Sequence, residues 1–497
     1  MIVKTDIDTM RPYLEDSSNL QGGYAEKVVI PGDAGEVAEA VREAASKKTP
    51  LYITGGGTGT TGGRIPFGGT VVSMERLNGI MDISGGAMAG TVQAGVLVEE
   101  FKAAAEKNGL FYPCHPTERT AFVGGTIATN ASGARSFKYG PTRKHVKRLK
   151  MVMADGSMLE LRRGEKFLSG KMPGMMTASG ALLRLPFPSY RMPDVKNSAG
   201  YYARDGMDLI DLFIGQEGTL SVITEAEMGL AEKPRGIFGC FVFFTAPRDA
   251  WGFASELKTM SQRRMAGRKT ETLDVLSVEY FDTNAVGMLR SGNKNVPGKA
   301  RAAIFFEEEL PGGRDDARFG IVERLISRHR SSLDDTWVAM NEKELDDFTA
   351  FRYAIPETIN DIVRRSGFRK LSTDIAVPDK GSYEMMRFYT DLLRDTRIEH
   401  VIFGHIGENH VHVNLLPRSE DEARRSQELC LKFVRKGVAL GGTVSAEHGI
   451  GKTRHRYLEE MYGKEGVREM ARLKKALDPD GILSPGNIFA AEELSRV

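Results

Sequence analysis

The chain has 497 residues, 41% of them hydrophobic and 27% charged, with a formal net charge of +2. That length exceeds one ordinary core, so two or three domains are expected, and near-neutrality excludes a general field that would recruit nucleic acid. Three scattered cysteines, Cys114, Cys240 and Cys430, argue against a disulfide framework, and no apolar run approaches the ~18 residues of a membrane-spanning helix. A cytoplasmic protein is expected, touching the inner membrane at most peripherally.

In chain order, Asp33 and Glu36 form a capping box ahead of a helix whose apolar face carries Val37, Ala40, Val41 and Ala44. Leu51-Tyr52-Ile53 then reads as a strand, and LYITGGGTGTTGGRIPFGGT (51–70) follows the helix with Gly57-x-Gly59-x-x-Gly62. This spacing imitates a dinucleotide fingerprint, but such a loop must open directly into a helix. Here Gly63 to Gly69 starts no helix, and TVVSM (70–74) is a strand. No Gly-Lys-Ser/Thr closes the run, which excludes a Walker loop. What remains is bare backbone that can approach an anion, with the hydroxyls of Thr58, Thr60 and Thr61 beside it.

TVQAG (91–95) is strand-like, and Val98 to Lys107 is helical up to Asn108-Gly109. A second glycine-rich stretch, PCHPTERTAFVGGTIATNASGARSFKYG (113–140), offers Thr117, Thr126 and Asn130 among Gly124, Gly125, Ala128, Ala131 and Gly133. Leu149 to Ala154 and Met158 to Leu161 flank Asp155-Gly156 as a hairpin. A third segment, GQEGTLSVITEA (215–226), carries Glu217 and Ile223. Each segment alone reads as a packed turn cluster. Together they favour an extended cofactor lying on main chain.

Beyond Lys233-Pro234 the glycine density falls and longer strand–helix units begin. FGCFVFF (238–244) and ARAAIFFEEEL (300–310) read as strands, and Gln427 to Lys436 as helix. In FTAFRYAIPETINDIV (348–363) a helix is expected to be restricted at Pro356, with TDIAVP (373–378) as a strand after it. FGHIGENHVHVNLL (403–416) reads as strand, turn, strand. His410, His412 and Asn414 then share one face, and the turn can return His405 to it. His448 follows Glu447 in SAEHGIGK (445–452). The histidines suit a metal site, or a hydrogen-bonded cluster with no ion.

The ordered motifs GGGTGTTGG, HPTERTAFVGGTIATNASGARSFKYG, GQEGTLSVITEA, FGHIGENHVHVN, SAEHGIGK and DPDGILSPGNIF resemble the vanillyl-alcohol-oxidase-type FAD enzymes. The branch they are similar to contains D-lactate, glycolate and D-2-hydroxyglutarate dehydrogenases. The resemblance implies an α+β fold: a two-subdomain PCMH-type FAD-binding domain and an α+β cap domain with an antiparallel sheet. Its expected boundaries are an N-terminal extension (1–24), the FAD-binding domain (25–232), the cap (233–465) and a segment returning to the FAD domain (466–497). It implies FAD with its pyrophosphate on Gly56, Gly57, Thr58, Gly59, Thr60 and Thr61. Pro116, Thr117, Gly124, Gly125, Ala128, Asn130, Gly133, Glu217 and Ile223 would line the rest. Some relatives attach FAD through a histidine in the first loop; none stands here, so non-covalent FAD is expected, and Cys114 is read as packing.

The resemblance also implies His405, His412 and Glu447 as ligands of a divalent metal, zinc ahead of iron or manganese. It departs at His410, where many relatives carry asparagine. Arg352 matches the arginine that receives the substrate carboxylate; a surface arginine on an amphipathic helix is the plain alternative. Lys370 and Asn414 are weaker substrate contacts, and His448 is the expected base. The implied reaction oxidises a small 2-hydroxy acid to the 2-oxo acid by hydride transfer to flavin. No Cys-x-x-Cys occurs, so electrons would leave to an acceptor protein, a quinone or an iron–sulfur subunit; a homodimer is left open. Two alternatives stand beside it. One is a flavin transferase like alkyl-glycerone-phosphate synthase, the other a metal-dependent hydrolase without flavin.

Overall fold

The computed structural model describes residues 1–114, 118–177, 180, 182–268, 272–310 and 316–497. The expected contacts Pro116 and Thr117 lie outside the described residues. The chain forms two units: residues 1–133, 140–233 and 445–497 make the first, 134–139 and 234–444 the second.

Among the described residues the first unit holds two larger sheets and three two-stranded ribbons. One has the strand order Ile2–Lys4, Lys27–Ile30, Thr70–Ser73, Leu51–Thr54, its first pair antiparallel and the others parallel. Val28, Val29, Val71 and Val72 are fully buried there, as expected of a strand pair covered on both faces. Helix Ala34–Lys47 buries the apolar stripe read from its sequence, Val37, Ala38, Ala40, Val41 and Ala44. Asp33 caps it by accepting from the Glu36 N–H, while Glu36 accepts from the Gly32 N–H. The other sheet is antiparallel, in the order Ile80–Ser84, Ala89–Gln93, Val222–Gly229, Val146–Val152, Met158–Arg162, and includes the expected Asp155-Gly156 hairpin.

The second unit is built on one antiparallel sheet, ordered Thr336–Ala339, Ile237–Phe244, Ala302–Glu309, Val275–Phe281, Glu399–Gly404, His410–Leu416, Leu371–Ser372. Ile375–Ala376 pairs with His410–Leu416 beyond this row. Phe241, Phe243, Phe281 and Phe305 form an aromatic floor on which helix Glu342–Ser366 lays Phe348, Phe351, Ile355 and Ile359. The α+β class and the antiparallel second sheet match expectation.

Four local readings differ. The VGGT stretch is a helix, Val123–Ala128, and Gly124 serves its close packing rather than a ligand: a Cβ there would come 2.6 Å from Ala94 Cβ. Pro356 sits inside helix Glu342–Ser366 rather than ending it. Asn341 caps the start, Gly367 (φ +70°) ends it, and the packed phenylalanines outweigh the hydrogen bond that proline cannot donate. TDIAVP is strand only over Ile375–Ala376, and a separate short strand, Leu371–Ser372, precedes it. Finally, the domain limits shift. Residues 2–4 pair with 28–30, so the N-terminus is part of the first unit. The chain returns to that unit at Ser445 rather than at 466. Residues 134–139 belong to the second unit, where Arg135 forms a two-pronged ion pair with Glu307 at 2.9 and 2.7 Å and Lys138 meets Asp274 at 2.8 Å.

Candidate active site

Within the first unit, the glycines of the opening loop divide into two kinds. Gly56 is packed: a Cβ there would lie 2.2 Å from the Thr120 carbonyl oxygen. Gly57 adopts φ +77°, which only glycine takes without strain. A Cβ on Gly59 would meet open space, and so would one on Gly125. Thr60 Oγ1 is buried and has no hydrogen-bond partner among the described residues. The loop therefore offers accessible backbone and an unsatisfied hydroxyl, the conditions for an anion to sit against main chain. Thr58 is partly exposed beside them, Ala128 ends the Val123–Ala128 helix, and Gly133 closes the first stretch of the unit. Asn130 is buried with φ +49°; its Oδ1 accepts from the Arg143 N–H at 3.0 Å and its Nδ2 donates to the Asn197 carbonyl at 3.4 Å. Ile223 is buried in strand Val222–Gly229. Cys114 packs on Thr142 at 3.0 Å, and burial pushes its thiol up to about 11, so it is inert at neutral pH.

Four motifs that lie far apart in sequence meet in one latch of this unit. Both carboxylate oxygens of Glu217 accept main-chain hydrogen bonds, from Ile450 N–H and Gly451 N–H, each at 2.7 Å. Lys452 N–H donates to the Thr61 carbonyl at 2.9 Å, and Lys452 Nζ reaches the Gly63 carbonyl at 3.2 Å and Asn487 Oδ1 at 2.6 Å. The glycines of SAEHGIGK are what permit this. A Cβ on Gly449 would stand 2.7 Å from Glu217 Oε1, and one on Gly451 2.2 Å from the Thr61 oxygen. The loop carrying His448 is thus held on its C-terminal side, with Thr61 Oγ1 donating to the His448 carbonyl at 3.4 Å. Burial raises the Glu217 carboxyl to about 7, against the pull of the two N–H donors, and lowers the Lys452 ammonium to about 7. Glu447 is buried in the same unit, with Lys196 Nζ at 2.8 Å, Ser132 Oγ at 3.4 Å and His448 Nε2 at 3.6 Å.

Within the second unit, strands Glu399–Gly404 and His410–Leu416 are joined by the expected turn, Asn409 taking φ +53° at its end. Gly404, at φ +130°, leaves room for the His412 ring, which a Cβ would approach to 3.0 Å. The turn does return His405 to the face of His410 and His412: ring centroids are 5.5, 5.9 and 4.6 Å apart for the pairs 405–410, 405–412 and 410–412. All three imidazoles are buried. Each is oriented by an acceptor: His405 Nδ1 by Glu279 Oε1 at 2.5 Å, His410 Nε2 by Asp374 Oδ1 at 2.8 Å, and His412 Nδ1 by the Thr373 carbonyl at 3.2 Å. Fixing one ring nitrogen in this way sets the tautomer and aims the other, the usual support of a metal-ligating histidine.

Arg352 lies on helix Glu342–Ser366, next to the phenylalanines that dock it, with Nη1 3.6 Å from Glu279 Oε2. Proline at 356 cannot donate to the Arg352 carbonyl one turn back, so that carbonyl lacks its ordinary helical partner. Asn414 is buried on the strand of His410 and His412, its Nδ2 3.5 Å from the His412 carbonyl. Lys370 is partly buried, and burial holds its ammonium below the ordinary lysine value.

Glu279, Asp374 and Lys196 were not read from the sequence. Glu279 carried the one available signal, a lone acid inside the otherwise uncharged strand VLSVEYF. Asp374 and Lys196 sit in ordinary polar surroundings, and only folding brings them to a histidine and a carboxylate.

Comparison with known proteins accords with this layout. A family model for an FAD binding domain matches residues 25–162, and one for the C-terminal domain of FAD linked oxidases matches residues 251–488. D-lactate dehydrogenase of Archaeoglobus fulgidus is 30% identical over 93% of this chain and 90% of its own. Glycolate oxidase subunit GlcD of Bacillus subtilis is 27% identical over 98% and 93%, and D-2-hydroxyglutarate dehydrogenase of Stutzerimonas stutzeri 27% identical over 98% and 96%. Among solved structures, an alkyldihydroxyacetonephosphate synthase superposes with a TM-score of 0.65 at 15% identity, covering 97% of this chain and 82% of that one, which establishes a shared fold. The chain belongs to the FAD-linked oxidase family, with a PCMH-type FAD-binding fold, in its branch of FAD-dependent 2-hydroxy-acid dehydrogenases.

Proposed function

We propose that this protein oxidises a D-2-hydroxy acid of the D-lactate, glycolate or D-2-hydroxyglutarate kind to the 2-oxo acid, with a divalent metal, zinc before others, assisting a non-covalent FAD. The residues present suit both groups. The open backbone at Gly59 and Gly125 and the unpartnered Thr60 hydroxyl suit the phosphates of FAD. The clustered, oriented imidazoles of His405 and His412 suit a metal, with Glu447 as the carboxylate ligand. When bound, the metal polarises a substrate hydroxyl and the flavin accepts the two electrons.

In this reading Arg352 receives the substrate carboxylate with its planar fork, and Lys370 and Asn414 are the candidates for further contacts. His448 takes the hydroxyl proton; a placed base contributes roughly 10²–10⁴ in rate. The observation that carries the reading is Glu279, whose two oxygens face His405 and Arg352. One buried carboxylate thereby sets both the ligand histidine and the carboxylate receptor. Electrons then pass to an acceptor protein, a quinone or an iron–sulfur subunit.

The experiment is anaerobic mixing of the flavin-loaded protein with D- and L-2-hydroxy acids while flavin absorbance is followed, with metal analysis of the same sample. Bleaching by a D-acid, lost in His448→Asn with flavin and metal retained, is the expected result. A flavin that no 2-hydroxy acid bleaches would point to the transferase chemistry of the structural neighbour and overturn the proposal. Normal turnover after complete metal removal would overturn the metal's part alone.

A further inference from the structure

Residues 166–193 contain Lys166, Lys171, Arg184 and Arg191 and no aspartate or glutamate. Within this stretch Gly174–Met176 pairs antiparallel with Leu182–Arg184, Met176 opposite Leu182 and Gly174 opposite Arg184. The pairing continues as Leu185 N–H donates to the Pro173 carbonyl at 2.9 Å and Phe187 N–H to that of Lys171 at 3.1 Å. Alternation then sorts the side chains. Pro173, Met175 and Leu185 are buried on one face.

The other face is turned to solvent, and it is not polar. Met172 is 49% exposed, Met176 45% and Leu182 54%. Leu182 lies across Gly174, where a Cβ would come within 2.7 Å of it, so Leu182 extends over the middle of the face. Exposed Arg184, whose Nη1 donates to the Met172 carbonyl at 3.3 Å, stands beside these apolar groups, with exposed Lys171 next in the chain. Phe167, just upstream, is 65% exposed. A solvated ribbon face ordinarily carries polar residues, so three large apolar side chains among cations call for an occupant.

We propose that this ribbon seats the protein on a bilayer surface bearing anionic headgroups. Met172, Met176 and Leu182 enter the boundary between headgroups and acyl chains, and Lys171 and Arg184 meet the phosphates, with Lys166 and Arg191 on the flanks. Unbranched thioethers and leucine offer a partner no hydrogen bonds, which suits lipid better than a shaped protein pocket. Cations unopposed by acids within the segment complement the negative surface of the membrane. Among the described residues no helix is long and apolar enough to cross a membrane, so the attachment is interfacial.

The test is flotation of the flavin-loaded protein with vesicles of phosphatidylcholine alone and of phosphatidylcholine mixed with phosphatidylglycerol. Binding to the mixed vesicles that weakens as salt rises is expected, and the two double variants Met176→Glu/Leu182→Glu and Lys171→Glu/Arg184→Glu should each lose it by roughly tenfold or more. Their melting temperatures, measured alongside, should match the parent. Binding to neither vesicle, equal binding to both, or undiminished binding by folded variants would overturn the proposal. So would a parent that floats with neither vesicle but forms a dimer, or captures an acidic protein, through these residues.

Discussion

Replacing Glu217 by glutamine and by alanine separates two effects of one buried carboxylate. Burial raises its folded-state value to about 7 from 4.5. The folded protein therefore keeps this proton over a range in which the unfolded chain has released it. The resulting stabilisation is complete below about 4.5 and is lost as pH rises through about 7. At ~1.4 kcal/mol per pH unit this interval amounts to about 3 kcal/mol. Glutamine is neutral at every pH, but its one amide oxygen can accept from only one of the two N–H donors. Glu217→Gln should therefore lie below the parent by ~1–3 kcal/mol near about pH 5 and gain on it by up to about 3 kcal/mol by about pH 8.5, several degrees at roughly 2 °C per kcal/mol. Alanine instead strands the N–H groups of Ile450 and Gly451 that Glu217 holds at 2.7 Å. At ~1–3 kcal/mol for each, Glu217→Ala should lose stability at both pH values. Circular-dichroism melts of the flavin-loaded protein at the two pH values read both outcomes. A glutamine variant that falls further below the parent as pH rises would refute the reasoning, because the two N–H donors would then be holding an anion more strongly than burial opposes it.

Three more outcomes follow from the same geometry. Glu279→Gln should weaken metal affinity by roughly 10–100-fold, read by competition with a chelator, while flavin content stays unchanged; equal affinity would remove Glu279 as the orienter of His405. Arg352→Met should lower kcat/KM for the hydroxy acid by roughly 10–100-fold, mostly through KM, with Arg352→Lys restoring only part of it. A change confined to melting temperature would make Arg352 a structural residue. Gly451→Ala forces a Cβ to 2.2 Å from the Thr61 oxygen at a φ of +52°. It should cost at least about 2 kcal/mol and be seen as a lower melt, whereas Gly59→Ala, which meets open space, should leave the apoprotein's stability nearly unchanged and disturb flavin binding instead.

The sequence by itself determined the elements whose signals are local. The capped helix after Asp33, the Asp155-Gly156 hairpin, the long apolar strands of the second unit and the strand–turn–strand around His405 rest on periodicity and turn chemistry within a few residues. It also shows that the Gly57-x-Gly59-x-x-Gly62 run opens no helix, which argues against a Rossmann unit. Tertiary structure decided the rest. Pro356 stays inside a helix because Phe348, Phe351, Ile355 and Ile359 dock it on an aromatic floor that no local window contains. Residues 134–139 join the second unit because their cations find Glu307, Glu309 and Asp274. Glu217, read as lining a cofactor, spends both oxygens on the backbone of Ile450 and Gly451. Glu279 acquires its place between His405 and Arg352 because three segments separated in the chain share one buried corner. Backbone preference is written in neighbouring residues, but the partner of a buried charge is chosen by packing, and packing is a property of the whole fold.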